Sequence, residues 1–338
     1  MTASHLKTIH SERETTAVRA ALLAWYAQNK RDLPWRQDRN AYRVWVSEIM
    51  LQQTRVAAVL EHYRIFLNAF PTVEALAKAE EDDVLALWSG LGYYRRARML
   101  HQAARFVVDE MNGVIPATID VLRALPGVGR YTAAAISSIA FGAPVAVVDG
   151  NVERVLSRMD GEPQADASAW KRAQELLDPR SPGDWNQAMM ELGAIVCTPQ
   201  NPQCLICPVH TWCRAPGAET GRQRPARKRV KMKRAFIERN NCVYLVQRPF
   251  NAAKMAGMWE LPELIAQPDQ NPGQQPKELC VVRHSITDTD YEVSIASATL
   301  KALDRASKKT GQWVARDDLH KLPLTGLTRK VISKLVHP

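Results

Sequence analysis

A chain of 338 residues, 46% of them hydrophobic and 24% charged, is long enough for two domains that each bury a core. No stretch approaches the ~18 uninterrupted apolar residues of a membrane span, and MTASHLKTIHSERE contains no apolar leader, so the expectation is a soluble intracellular protein. The net charge of +10 is unevenly spread: positions 1–216 carry 23 basic and 23 acidic residues, whereas Gly217 to Arg234 carries eight basic residues against Glu219. Net charge therefore says little about what the first region binds; local motifs must do so.

Helical spacing begins at Thr15 to Asn29, with Val18, Leu22, Leu23 and Tyr26 on one side. The run Arg31-Asp32-Leu33-Pro34-Trp35-Arg36 then breaks at the proline and presents a Trp and two Arg in a loop. Trp35 reads equally as a core plug or as a stacking wall. A second helix is expected over Tyr42 to Arg55, in which Glu48 stands among the large apolar groups of VWVSEIML. If buried there, its carboxyl would hold a proton near neutral pH; the alternative is an ordinary surface ion pair. Helical patterns continue over His62 to Ala69, Val73 to Ala79 and Asp82 to Trp88, and Gly90 to Arg98 then offers a glycine turn with two Tyr and three Arg, a pattern suited to stacking and phosphate contact.

Further helices are expected over Leu100 to Met111 and from Val121 into Leu125-Pro126-Gly127-Val128-Gly129, a turn whose glycines permit positive φ. The small, apolar helix Tyr131 to Phe141 follows, and its free N-terminal amides would attract an anion such as a DNA phosphate. After Gly142-Ala143-Pro144 the apolar run Val145 to Val148 ends in Asp149-Gly150-Asn151, an unusual position for a charge. Helices at Val152 to Met159, Trp170 to Leu177 and Trp185 to Val196 lead to Cys197, Cys204, Cys207 and Cys213. One C-x-x-C within a single proline-stiffened loop leaves both a 4Fe-4S cluster and zinc open, and argues against a disulfide framework. Gly217 to Arg234 reads as a basic linker. From Ala235 the texture alternates, with strands expected at Phe236 to Glu238, Cys242 to Gln247, Leu279 to Val282 and Tyr291 to Ala296, and a closing helix at Thr328 to Leu335.

The sequence LPGVG, the helix after it, the Gly/Pro break and VDGNV together resemble the helix-hairpin-helix DNA glycosylases of the endonuclease III superfamily, and within it the adenine glycosylases of the MutY type. The cysteine spacing after NQAMMELGAIVC resembles that superfamily's 4Fe-4S loop, and Gly257-Met258-Trp259-Glu260-Leu261-Pro262 resembles the MutT-like C-terminal domain of adenine glycosylases. The resemblance implies an all-α helix-hairpin-helix domain at 1–216 that includes the cluster loop 197–213, a linker at 217–234, and an α+β MutT-like lesion-recognition domain at 235–338. No metal-binding R-E-x-x-E-E helix follows within Glu263 to Gln275, so this last domain is expected to recognise and not to hydrolyse.

The resemblance further implies a monofunctional, monomeric, nucleoid-associated cytoplasmic enzyme that excises adenine opposite 8-oxoguanine or guanine in double-stranded DNA. The alternative is an endonuclease III-like glycosylase/lyase for oxidised pyrimidines. Glu48 matches the proton donor, Asp149 the carboxylate that stabilises the oxocarbenium ion, and Tyr131 and Asn151 their supports. Tyr131 stands where the lyases carry a Schiff-base Lys. Gln53 and Tyr93 would wedge the duplex, and Leu33, Trp35, Arg36 and Gln187 would line the pocket for the flipped adenine. Gly127, Val128 and Gly129 would hold a phosphate through their amides. The family's H-x-F-S-H loop appears here as His284-Ser285-Ile286-Thr287-Asp288, which keeps a hydroxyl at Thr287 but places Asp288 where a His is usual.

Overall fold

The computed structural model describes residues 11–164, 166–218, 226–264, 276–286 and 288–336. Its contacts divide the chain into two units, 1–67 with 103–223 and 68–102 with 224–338.

The first unit is helical. It contains α1 (Glu12–Asn29), α2 (Ala41–Leu51), most of α3 (Val56–Ala69), and, after α4 (Val73–Lys78) and α5 (Glu81–Trp88) of the second unit, the end of α6 (Arg95–Met111). It continues with α7 (Ile119–Ala124), α8 (Arg130–Phe141), α9 (Gly150–Asp160), α10 (Asp166–Leu176) and α11 (Pro182–Ile195). Ser11 and Glu14 close a capping box at the start of α1, which then buries Val18, Leu22 and Tyr26. Those side chains share a core with Val152 and Leu156 of α9 and with Trp185 and Leu192 of α11. The helix α2 is buried from Tyr42 to Met50 apart from Arg43, and α8 is buried from Thr132 to Ile139. Two such helices, buried on nearly every side, form the middle of a bundle and leave little room for polar groups without partners.

The second unit combines α4, α5 and the start of α6 with two sheets. Its strands are β1 (Lys228–Phe236), β2 (Glu238–Arg239), β3 (Cys242–Gln247), β4 (Trp259–Glu260), β5 (Glu278–Ile286), β6 (Thr289–Ser297) and β7 (Gly311–Ala315), accompanied by α12 (Arg305–Thr310) and α13 (Gly326–Leu335). One sheet runs β1-β6-β5, with β1 parallel to β6; the other pairs β3 antiparallel with β2, β4 and β7. Val293 and Ile295 of β6 pack with Val243 and Leu245 of β3 and with Val331 and Ile332 of α13. Within this unit Ser89 Oγ and Tyr94 Oη both donate to Leu324 O, at 2.9 and 3.1 Å, and Arg98 Nη2 donates to Ala256 O at 2.6 Å. These bonds explain why 68–102 group with the C-terminal strands although the sequence placed them in the first domain.

Two further boundaries differ from expectation. Residues 228–234 are strand, because Val230 and Met232 alternate with exposed Lys231 and Lys233, a period of two that a basic composition conceals. The second helix stops at Leu51 because Gln53 takes a φ of 55°, outside the helical region.

Candidate active site

Three elements of the first unit deliver the central polar groups. Asn40 caps α2 by accepting from Arg43 N at 3.0 Å, and two turns later the helix carries Glu48 into the core at 6% exposure. From the first turn of α8, Tyr131 Oη donates to Glu48 Oε2 at 2.8 Å. Asp149 is the N-cap of α9, with Oδ1 accepting from Asn151 N (2.9 Å) and Val152 N (2.8 Å) and Oδ2 accepting from Asn151 Nδ2 (2.9 Å). Its carboxylate is thus pinned at a helix N-terminus.

Burial raises the Glu48 carboxyl to about 7; the Tyr131 hydrogen bond and Arg36 oppose that rise and nearby Asp149 adds to it. Burial and the two carboxylates hold the Tyr131 phenol well above its ordinary value, so it stays a proton-bearing donor. The result is a pair of acids in different settings, one able to carry a proton near neutrality and one fixed as a helix cap.

Beside them, Leu33 and Trp35 are buried, and Trp35 stands edge-on to Tyr63 with ring centroids 5.3 Å apart. The sequence left Trp35 open between core plug and stacking wall, and its burial leaves only part of the ring free to serve a ligand. Arg36 donates from Nη2 to Glu191 Oε2 at 2.8 Å, and Arg31 makes two side-chain bonds to the same carboxylate at 2.7 Å each. Burial pushes Glu191 up, but the Arg31 and Arg36 bonds overcome it and hold the carboxyl down at about 2. Gln187 lies one helical turn before Glu191 on α11 and is half-buried.

In the hairpin, Gly127 has a φ of 75°, which glycine adopts without strain. Val128 N bonds to Leu125 O at 3.1 Å, so this amide is committed to the turn, and no side chain caps α8 at Gly129. The amides of Gly127 and Gly129 are therefore the ones left for an anion. Gln53 is exposed at a positive φ, a strained setting for a non-glycine residue. Gln52 beside it ties α2 to α8 through Nε2 to Thr132 Oγ1 at 3.2 Å. In the second unit Tyr93 also has a positive φ of 48°, is 45% exposed, and lies 5.4 Å from the Arg96 guanidinium. Asp288 turns the β5–β6 hairpin and accepts from the Thr289 hydroxyl at 3.1 Å, whereas Thr287 lies outside the described residues.

The four cysteines of the loop form no disulfide, and each is half-buried. Burial raises Cys207 to about 11, and the neighbouring Cys197, Cys213 and Cys204 add to that rise. Arg158 closes the loop: Nη1 donates to Cys197 Sγ (3.2 Å) and Thr198 O (2.7 Å), Nη2 to Pro199 O (3.1 Å) and Nε to Ala218 O (2.8 Å). Among the described residues, no three thiol, imidazole or carboxylate groups stand close enough to hold a single metal ion. An all-thiol donor set carried by a single loop is chemistry that suits either a zinc ion or an iron-sulfur cluster.

Several participants escaped the sequence reading. Glu191 carries the same signal as Glu48, an acid inside an apolar helix. Arg154 donates to Asn151 Oδ1 (2.9 Å), Gly193 O (2.7 Å) and Cys197 O (2.8 Å), linking the Asp149 support to the first loop cysteine. Asn186 holds the segment before Asp149 through Val147 N at 3.0 Å and Val145 O at 2.8 Å. Met190 places its sulfur 3.3 Å from Tyr131 Oη. No motif flags these last three, whose roles appear only once helices separated in sequence are packed.

Residues 46–179 match the family described as HhH-GPD superfamily base excision DNA repair protein. The chain is 54% identical over 217 residues to the human adenine DNA glycosylase, covering 60% of this chain and 40% of that protein. It is 40% identical over 312 residues to the adenine DNA glycosylase of Arabidopsis thaliana, covering 77% of this chain and 49% of that protein. The chain thus spans about half or less of the length of these relatives. Among solved structures, a thermostable thymine-DNA glycosylase superposes with a TM-score of 0.56 at 29% identity over 60% of this chain and 96% of that one. An endonuclease III–DNA complex superposes with a TM-score of 0.53 at 23% identity, over 61% of this chain and 96% of that one, and shares the fold.

Proposed function

We propose that this chain, whose residues 46–179 match the HhH-GPD superfamily of base excision DNA repair proteins, is a monofunctional DNA glycosylase that excises adenine mispaired with 8-oxoguanine or guanine. One observation carries the reading: a buried glutamate raised to about 7 lies within electrostatic range of a capped aspartate, with a phenol bonded to the glutamate. Adenine leaves as a neutral base only if a ring nitrogen is protonated as the glycosidic bond breaks, and Glu48 is the group able to hold that proton at neutral pH. The sugar then carries positive charge, and Asp149, fixed by Asn151, is the anion that stabilises it before water adds. The relatives named as adenine DNA glycosylases support the choice of base.

Tyr131 occupies the position from which a lysine would form a Schiff base, so strand cleavage by β-elimination is not expected. The Arg31–Glu191–Arg36 cluster and Gln187 supply fixed donors and acceptors for the edge of a flipped base, with Leu33 and Trp35 as apolar walls. Gly127 and Gly129 offer amides to a backbone phosphate, and Gln53 and Tyr93 are poised to enter a duplex. The hairpin of His284 to Asp288 is the candidate reader of the opposite base. Cys197, Cys204, Cys207 and Cys213 would hold a 4Fe-4S cluster, which when bound supplies an electron-transfer centre and anchors the loop; base removal itself is left to Glu48 and Asp149. The protein would act as a monomer on double-stranded DNA. Among the described residues no helix is long and apolar enough to cross a membrane.

The test is single-turnover base release from duplexes with adenine opposite 8-oxoguanine, guanine or thymine. Release from the first two supports the reading. Release of an oxidised pyrimidine without any release of adenine would support the lyase alternative.

A further inference from the structure

Tyr131 has one hydroxyl proton and two acceptors within reach, Glu48 Oε2 at 2.8 Å and Met190 Sδ at 3.3 Å. A carboxylate is much the better acceptor, and while Glu48 is ionised the proton belongs there. Once Glu48 is protonated on Oε2, its acid O–H donates to the phenol oxygen, and the Tyr131 proton then points elsewhere. The hydroxyl is part-buried, so leaving it without an acceptor carries a cost. The thioether sulfur is a weak acceptor, but it is placed for this arrangement.

We infer that Met190 is a positioning residue for the proposed proton transfer: its sulfur is the second acceptor onto which the Tyr131 hydroxyl turns when Glu48 carries a proton. The two states differ by rotation of one O–H bond and the move of one proton, with no change in packing. The titratable and charged groups facing Glu48 are Tyr131 from α8, Asp149 ahead of α9 and Arg36 from the turn before α2. Met190, on α11, meets the Tyr131 hydroxyl through its sulfur.

The inference rests on Glu48 as proton donor for its consequence in base release, but protonation of Glu48 can be followed without DNA. Carboxyl carbon NMR of the full chain labelled at the glutamate side chains, with Glu48→Gln to assign the signal, gives the midpoint directly. Met190→Leu keeps the volume and removes the acceptor, and Met190→Ile serves if the first variant does not fold. Losing the sulfur penalises the protonated state, so the midpoint should fall by about half a pH unit, a threefold change in the protonation constant. In a Tyr131→Phe background the same substitution should leave the midpoint in place. Adenine release by Met190→Leu should fall relative to the parent by a factor that grows with pH, reaching about threefold above neutrality. An unchanged midpoint overturns the inference, as does an equal shift in the Tyr131→Phe background, which would mark general repacking. A parent that titrates as described yet releases no adenine refutes the proposed activity and leaves the role of Met190 to the titration.

Discussion

Gly193→Ala is the perturbation whose effect follows most directly from the geometry. An alanine in mid-helix should favour α11 by about 1 kcal/mol over glycine. Here, however, the new Cβ would fall 2.6 Å from Asn151 Cβ and 3.0 Å from Asn151 O. Ordinary carbon contacts are about 3.5–4.0 Å, so the overlap is on the order of 1 Å. Part of it is against backbone, which cannot swing aside as a flexible side chain could. Relief requires α9 and α11 to separate, yet Arg154 ties them through Gly193 O at 2.7 Å. Overpacking costs roughly 1–3 kcal/mol, and a clash of this size against backbone belongs in the upper part of that range, about 2–3 kcal/mol, which outweighs the helix preference. A net loss of about 1–2 kcal/mol is expected, a fall in melting temperature of about 2–4 °C for each kcal/mol. The catalytic loss should be larger than the loss of stability, because the residue displaced is the one bonded to Asp149 Oδ2; a misplacement near 1 Å can cost about 100-fold in rate. Thermal melting and single-turnover base release on the same preparation check both parts. A variant as stable as the parent, or one that is destabilised yet releases base at the parental rate, would refute the coupling of α11 to the aspartate.

Three further outcomes are expected. Glu48 is raised from 4.5 to about 7, so the stability its protonated form contributes is fully present below 4.5 and is lost as pH rises through 7. Glu48→Gln removes this penalty and should be the more stable protein at pH 8 by up to about 3 kcal/mol while matching the parent near pH 5, as denaturant titrations would show. Glu191 behaves oppositely: held at about 2 by its two arginines, it contributes stability above its ordinary value that disappears as pH falls through 2. Glu191→Gln, which leaves two guanidinium groups on a neutral amide, should cost about 3 kcal/mol at pH 7. Borohydride should trap no covalent adduct between the parent and DNA, and alkali should be needed to nick the strand, because Tyr131 offers no amine; a trapped adduct would contradict the monofunctional reading.

The parts of this molecule visible in the sequence are those encoded over short spans. Glu48 inside VWVSEIML and Asp149 after an apolar run announce themselves as charges in the wrong surroundings, and the fold brings them within electrostatic range of one another. The helices of the first unit follow apolar spacing closely, as the buried Val18, Leu22 and Tyr26 show. What the sequence concealed depends on alignment between distant elements. Residues 228–234 read as a linker because lysine and arginine outnumber Val230 and Met232, although the period of two was present. Residues 68–102 read as part of a continuous helical domain, since nothing local shows that Ser89 and Tyr94 bond to Leu324. Gln53 looked helical until its backbone proved left-handed. Asn186, Arg154 and Met190 act through groups some 30 to 60 positions away in the chain, a separation beyond any periodicity argument.

The most direct test of the central claim is the pH dependence of single-turnover adenine release from a duplex with adenine opposite 8-oxoguanine, comparing the parent with Glu48→Gln. The proposed chemistry requires a rate that falls tenfold per unit above a midpoint near 7 in the parent, and a loss in the variant across the whole range. A rate that is indifferent to pH between 6 and 9, or that survives in Glu48→Gln, would remove Glu48 as the proton donor.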